Sequence, residues 1–414
     1  MKIEKISRRN RNSWNNNFAV FLFCAVAAIA SSAQTVTAVA AFNGANGQEP
    51  NSLVQGSDGN FYGTTPSGGA DRQGTVFQVT PAGSITSLYS FCSQLPDCAD
   101  GGVPDGPLVP VADGSLYGTT AVGGAANAGT IFTITPAGQL ATIYTFALTD
   151  GALPQGLVPA IDGNFYGVAS QGGANCGDPG CGTLFKVTPT GTLTVLYNFC
   201  SRANCSDGSS PAAVMRAANG NFYGATRMNG LDDSTCGTIF EVTPAGRLTT
   251  LHTFKHSDGC GPSGVIQGSD KNFYGTTLYG GAHGAGTFFK INAAGTLEAF
   301  YSFCSQANCA DGNAPTGLLL QASDGNLYGT TVLGGNGARN AGTIFQVTPS
   351  GKLNTIYSFC AQKSCSEGGK PTGSLIQATD GNIYGVASQG PVGNGAGAGA
   401  GTVFRLTIGG ATVR

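Results

Sequence analysis

Charge is scarce in this chain: Asp, Glu, Lys and Arg make up 10% of its 414 residues, and histidine occurs 3 times. Binding to phosphate backbones needs clustered Lys and Arg, and no basic stripe follows the first 11 residues, which excludes nucleic acid as a partner. Helical periodicity is missing, which excludes bundles and α/β folds. Tryptophan occurs once, as Trp14. The apolar run "FAVFLFCAVAAIA", Phe18 to Ala30, holds 13 residues. A bilayer span needs roughly 20.

That run follows a basic start, "MKIEKISRRNRN", and precedes the small residues "SSA", the pattern of a secretory signal. Residues 1–33 are expected to be removed, leaving one domain over 34–414 with no membrane span. Five bases and one acid leave with the leader, so 15 Lys+Arg face 21 Asp+Glu, a net charge of −6. Cys24 leaves too, and the remaining twelve cysteines are an even number in an exported chain. Disulfides and a secreted or periplasmic location follow.

Glycine is abundant, with 66 copies, and much of it is periodic. A Tyr-Gly dipeptide recurs with its tyrosine at 62, 117, 166, 223, 274, 328 and 384, spaced 49 to 57 residues apart. After each comes Gly-Thr, an apolar residue and Phe. Seven units of that length suit propeller blades. Within the sixth unit the pattern predicts four strands: "GLLLQAS" (317–323), "NLYGTT" (326–331), "GTIFQVT" (342–348) and "KLNTIYSF" (352–359). Asp-Gly and "TPSG" are the tight turns between them.

The last unit stops after its third strand, "GTVFRLT", whereas "TVTAVAAF" (35–42) precedes the first unit as an orphan strand. The expected fold is all-β: a seven-bladed propeller, four antiparallel strands per blade, with the last blade closed by the N-terminal strand. The blades are placed at about 52–91, 107–146, 156–199, 212–254, 264–303, 317–359 and 373–407. Pro110 and Pro159 fall in first strands, and proline belongs on a sheet edge, so the first strand is innermost.

"DGNFYGTT…GTVFQVTPAG" and its six further copies resemble the GloVer tandem-repeat family of exported bacterial proteins, over about 35–407. That resemblance implies no established activity, and it implies C-terminal anchoring to the cell surface. The ending "IGGATVR" holds neither a sorting motif nor an apolar tail, so a released or periplasmic protein is expected. The units are more distantly similar to the propeller of streptogramin B lyases, which use histidines, glutamates and a divalent metal. His252, His256 and His283 match no lyase motif.

On this strand order the tight turns share one face and the long irregular loops share the other, where recognition resides. Cysteines crowd that loop face. The expected disulfides are Cys92–Cys98, Cys176–Cys181, Cys200–Cys205, Cys236–Cys260, Cys304–Cys309 and Cys360–Cys365. The spacings are wider than the C-x₂-C usual for zinc. An acid-Gly pair precedes six of the innermost strands, at Asp100, Asp150, Asp207, Asp258, Asp311 and Glu367, with Asn46-Gly47 at the seventh. These are expected around the channel mouth, where they would bind a cation or sugar hydroxyls; as turn formers they would bond backbone instead. On an enzymatic reading His256 and His283 would converge with Asp258, whereas exposed loop histidines are more often idle. Tyr279 is expected to offer a stacking surface. The Tyr-Gly tyrosines and Gly-Thr-x-Phe phenylalanines are expected to pack between blades.

The expected function is a monomeric, non-enzymatic binding module holding a glycan or protein, without a cofactor. A propeller hydrolase or lyase acting on extracellular polysaccharide is the alternative, and a structural envelope component is another.

Overall fold

A computed structural model describes residues 34–94, 97–177, 179–229, 236–337, 339–362, 365–391 and 399–408. The leader and residues 409–414, with the expectations placed on them, lie outside that set. Among the described residues twenty-eight strands form seven four-stranded antiparallel sheets, the blades of a seven-bladed β-propeller. In blade 6, Asn313–Gln321 is innermost, followed outward by Leu327–Leu333, Thr343–Val347 and Leu353–Ser358. Blade 7 runs Gly369–Gln377, Ile383–Gln389, Thr402–Thr407 and then Thr35–Ala41. Thr35 lies opposite Thr407 and Ala41 opposite Thr402, so the N-terminal strand closes the ring. Among the described residues no helix is long and apolar enough to cross a membrane.

The innermost strands begin earlier than the sequence pattern suggests, at Asn313 rather than Gly317 in blade 6 and at Gly369 rather than Gly373 in blade 7. Two features break their alternation. Each long one carries a register shift, between Thr316 and Leu320 in blade 6. The second is a left-handed residue near the start, such as Val103 at φ 52° or Ala314 at φ 55°. Its N–H crosses to the preceding blade: Val103 donates to the Gln73 carbonyl at 2.7 Å and Ala314 to that of Ala285 at 2.9 Å. The expected blade limits of 107, 317 and 373 therefore omit the first few inner residues.

Two aromatic columns hold neighbouring blades together. The phenylalanine ending one blade's outermost strand meets the Gly-Thr-x-Phe phenylalanine of the next, as in Phe91–Phe132 and Phe359–Phe404, both with centroids 5.1 Å apart. The Tyr-Gly glycine makes room for this ring: a Cβ on Gly329 would stand 2.4 Å from Phe345 Cζ. The tyrosines form the second column, with Tyr166 stacked on Phe222 at 4.1 Å and Tyr223 on Phe273 at 4.1 Å. Each buried ring contributes about 1.5–3 kcal/mol. The columns are packing, as the pattern predicts.

Candidate functional site

The acid-Gly residues do not form an open ring at the channel mouth. Asp100, Asp207 and Asp311 are fully buried. Asp100 accepts bonds from the Tyr89 hydroxyl at 2.8 Å, from the Ser93 N–H and hydroxyl, both at 2.9 Å, and from the Gln94 N–H at 3.2 Å. Asp207 repeats this with Tyr197, Ser201 and Arg202, and Asp311 with Tyr301, Ser305 and Gln306. Asp150 takes the Tyr144 hydroxyl at 2.6 Å and the Ala147 N–H at 3.0 Å. Buried Glu367 takes the Cys360 N–H at 2.9 Å. The loop returning from the outermost strand has unpaired N–H groups, and a carboxylate turned onto them satisfies both partners. These acids are loop clamps.

Their titration reflects that bonding. Burial pushes the Asp100 carboxyl up, but hydrogen bonds from Tyr89 and Ser93 outweigh it and hold it below the usual 3.8. Asp311 behaves alike, with Tyr301 and Ser305 as donors. In Asp150 burial prevails over the bonds from Tyr144 and Ala147, and the carboxyl is raised. The following glycine has a steric reason: a Cβ on Gly312, at φ +103°, would stand 2.6 Å from Thr331 Oγ1.

All six expected disulfides are formed. Cys92, Cys98, Cys200, Cys205, Cys304, Cys309, Cys360 and Cys365 all have left-handed backbones, so each inter-blade bridge closes a tightly curled loop. The sulfurs of Cys176, Cys181, Cys200 and Cys205 all lie within 4.8 Å of one another, so two bridges of blade 3 pack together. Oxidised in pairs, they are not thiolate ligands for a metal.

The loops of His256 and His283 meet where the Gly281 N–H donates to the His256 carbonyl at 2.7 Å, but among the described residues no hydrogen bond joins either imidazole to Asp258. Asp258 is engaged by His252 Nε2 at 3.3 Å and by the Lys255 N–H at 2.7 Å. His252 occupies the place that tyrosine holds in the other five clamps, so it is a structural substitute. His256 Nδ1 lies 3.1 Å from Cys236 Sγ, beside the Cys236–Cys260 bridge. His283 is exposed in the loop from Gly281 to Gly286, and no hydrogen bond among the described residues joins it to either partner. Tyr279 ends a strand at the loop face of blade 5 and is 58% exposed; Leu148, in the loop between blades 2 and 3, is 52% exposed. Both are available to a partner.

One asymmetric polar network was not expected. The residue after the innermost-strand proline is Asn51, Asp105 or Gln155 in blades 1 to 3, but Ala212, Ser263, Thr316 or Thr372 in the others. Asn51 Nδ2 donates to the Pro104 carbonyl at 3.1 Å and lies 3.5 Å from Asp105 Oδ1. Gln155 Nε2 donates to Asp105 Oδ2 at 3.2 Å, and the exposed Arg227 reaches Gln155 Oε1 at 3.4 Å. A single carboxylate is thus tied at the inner edge to blades 1 and 3, and through Gln155 to Arg227 on the second strand of blade 4. Alignment of the units on that proline exposes the signal.

No curated protein matches the sequence. Among solved structures, the extracellular domain of the hybrid two-component system BT4673 of B. thetaiotaomicron aligns with a TM-score of 0.57 at 11% identity, over 91% of this chain and 40% of that one. Puromycin hydrolase aligns with a TM-score of 0.55 at 12% identity, over 86% of this chain and 53% of that one. This chain spans about two-fifths of the first and half of the second, and at such identity the likeness is one of fold. The model of the Gloeobacter/Verrucomicrobia repeat matches residues 24–230 and again 174–404. Two overlapping matches over nearly the whole propeller, each spanning several of the Tyr-Gly and Gly-Thr-x-Phe units, make this chain a member of the Gloeobacter/Verrucomicrobia repeat family.

Proposed function

We propose that the protein is an exported binding module whose loop face holds a neutral glycan or a protein. The observation that carries this is the clamping of irregular loops on one face by six disulfides and by buried acids, from Asp100 to Glu367. A rigid loop loses little entropy when it binds, which favours affinity without a large surface. Exposed Tyr279 supplies a ring for stacking on a sugar or for burial against a protein. The bridges also support residence in an oxidising compartment. The test is a glycan array with wild-type protein and Tyr279→Ala. Binding that is lost in Tyr279→Ala and on reduction, without turnover, supports the module; binding unchanged by both removes its basis.

The asymmetric inner-edge network favours a second reading, a hydrolase or lyase acting on polysaccharide. Asp105 would then be its acid or base. Turnover of a polysaccharide panel by wild type but not by Asp105→Asn would establish that reading over the first.

A further inference from the structure

Blade 5 departs from its neighbours at several positions that meet in one place. Where a Tyr-Gly tyrosine faces a phenylalanine of the next blade, the two rings pack face to face or tilted, as Tyr117 stacks on Phe165 at 4.5 Å and Tyr384 leans on Phe61 at 4.4 Å and 34°. Tyr274 faces Leu327 instead. Two other tyrosines also face aliphatic residues, but Gln78 clamps the hydroxyl of Tyr62 at 2.8 Å and Gln346 that of Tyr328 at 2.9 Å. Those rings are 2% and 0% exposed.

Across the strand from Tyr274, the place of that glutamine is taken by Lys290. Its ammonium is drawn away to Glu298 at 3.0 Å and Asp270 at 3.6 Å. Glu298 is available there because the register shift of blade 5 falls between Lys290 and Ile291. In blade 1 it falls between Val76 and Phe77. The Tyr274 hydroxyl keeps its bond to Asp270 at 2.8 Å but lacks the glutamine donor, and its ring lies at 22° to Phe288 of its own blade, 6.1 Å away, where other blades carry Val, Ile or Leu.

The result is a cleft of about 360 Å³ between blades 5 and 6 on the face of the tight turns, opposite the irregular loops. Its walls are Tyr274 and Phe288 on one side and Leu327, Val347 and Pro349 on the other. Asp270, Lys290, Gln321 and Ser350 stand among its lining as polar groups. This volume falls in the range of small-molecule sites, about 300–1,000 Å³, and an apolar slot with a few polar groups is their usual form. Aromatic walls facing aliphatic ones fit one flat ring edge-on. Asp270 Oδ2 takes the Tyr274 hydroxyl and the Asn272 side chain, both at 2.8 Å, whereas among the described residues Oδ1 takes the Asn272 backbone N–H alone. The rim therefore fits a neutral ligand that donates to Oδ1 and accepts from Lys290.

We infer that this cleft binds a small neutral molecule built on one flat ring system with a hydroxyl edge, a phenol or the aglycone of an aryl glycoside. The site is separate from the loop face and does not depend on the function proposed for it.

The test is titration of the full chain with 4-methylumbelliferone, read by calorimetry and by the probe's own fluorescence. Wild type is expected to bind one equivalent saturably. Leu327→Phe installs the ring found at the stacked interfaces and fills the cleft. It is expected to weaken binding about tenfold or more while keeping or raising the unfolding midpoint. Phe288→Ile, the residue type of blades 2, 4 and 6, removes one wall and is expected to weaken binding severalfold. Absence of saturable binding by wild type, or equal binding by wild type and both variants, overturns the inference.

Discussion

Phe42 packs its edge against Phe77 with centroids 4.9 Å apart and planes at 78°. One residue follows the closing strand of blade 7; the other belongs to the third strand of blade 1. The contact reproduces Phe359 on Phe404, at 5.1 Å and 68°, so the junction of the chain's two ends is built like any other. Both rings of each pair are buried.

Phe42→Ala should therefore cost about as much as a mid-chain column residue, on the order of 3–5 kcal/mol. Denaturant unfolding without reductant, run beside Phe359→Ala, checks this. A near-zero effect at Phe42 with a large one at Phe359 would mean that the closing strand contributes little.

The Tyr-Gly glycine is packed without room for a side chain. A Cβ on Gly385 would lie 2.6 Å from Phe404 Cζ and 2.7 Å from Leu375 Cδ2. Gly385→Ala should destabilise by about 1–3 kcal/mol through overpacking, read as a lower unfolding midpoint with an unchanged far-ultraviolet spectrum.

Each short inter-blade bridge should contribute about 2 kcal/mol in the chain-entropy account. Non-reducing peptide mapping should recover the six pairs, and Cys304→Ser with Cys309→Ser should lower stability by about that amount. Free thiols at those positions in the folded protein would contradict the clamped loop face.

Stability should fall at both ends of the pH scale. Asp100 and Asp311 are held below 3.8 in the fold, so the stability they add is present above that value and lost as pH falls through their lowered titration. Asp150, raised by burial, works in the opposite sense. Burial and a bonded acid push Tyr166, Tyr223, Tyr328 and Tyr384 up to about 12. Their contribution is full below the usual 10 and lost as pH climbs toward 12. Tyrosinate absorbance should rise together with unfolding rather than ahead of it.

Strand number, turn positions and closure were legible because they repeat, and a repeat reports the constraint common to all copies. The disulfides were legible from spacing once the loops were placed. The role of Asp100 and its equivalents was not: the same Asp-Gly pair reads as a ligand ring or as a clamp, and only the bonded Tyr89 and Ser93 decide it. Single departures from the repeat carried the rest. Asp105 beside Asn51 and Gln155, His252 in a tyrosine's place, and Leu327 facing Tyr274 gain meaning from cross-blade neighbours that a linear reading does not bring together.

The loop face exists as one surface because residues 35–41 complete blade 7. Hydrogen exchange of the intact chain, resolved by peptide, tests this directly. Amides of 35–41 should be protected as well as those of 85–90, the outermost strand of blade 1. Exchange of 35–41 at the rate of a free chain, with 85–90 protected, would contradict it.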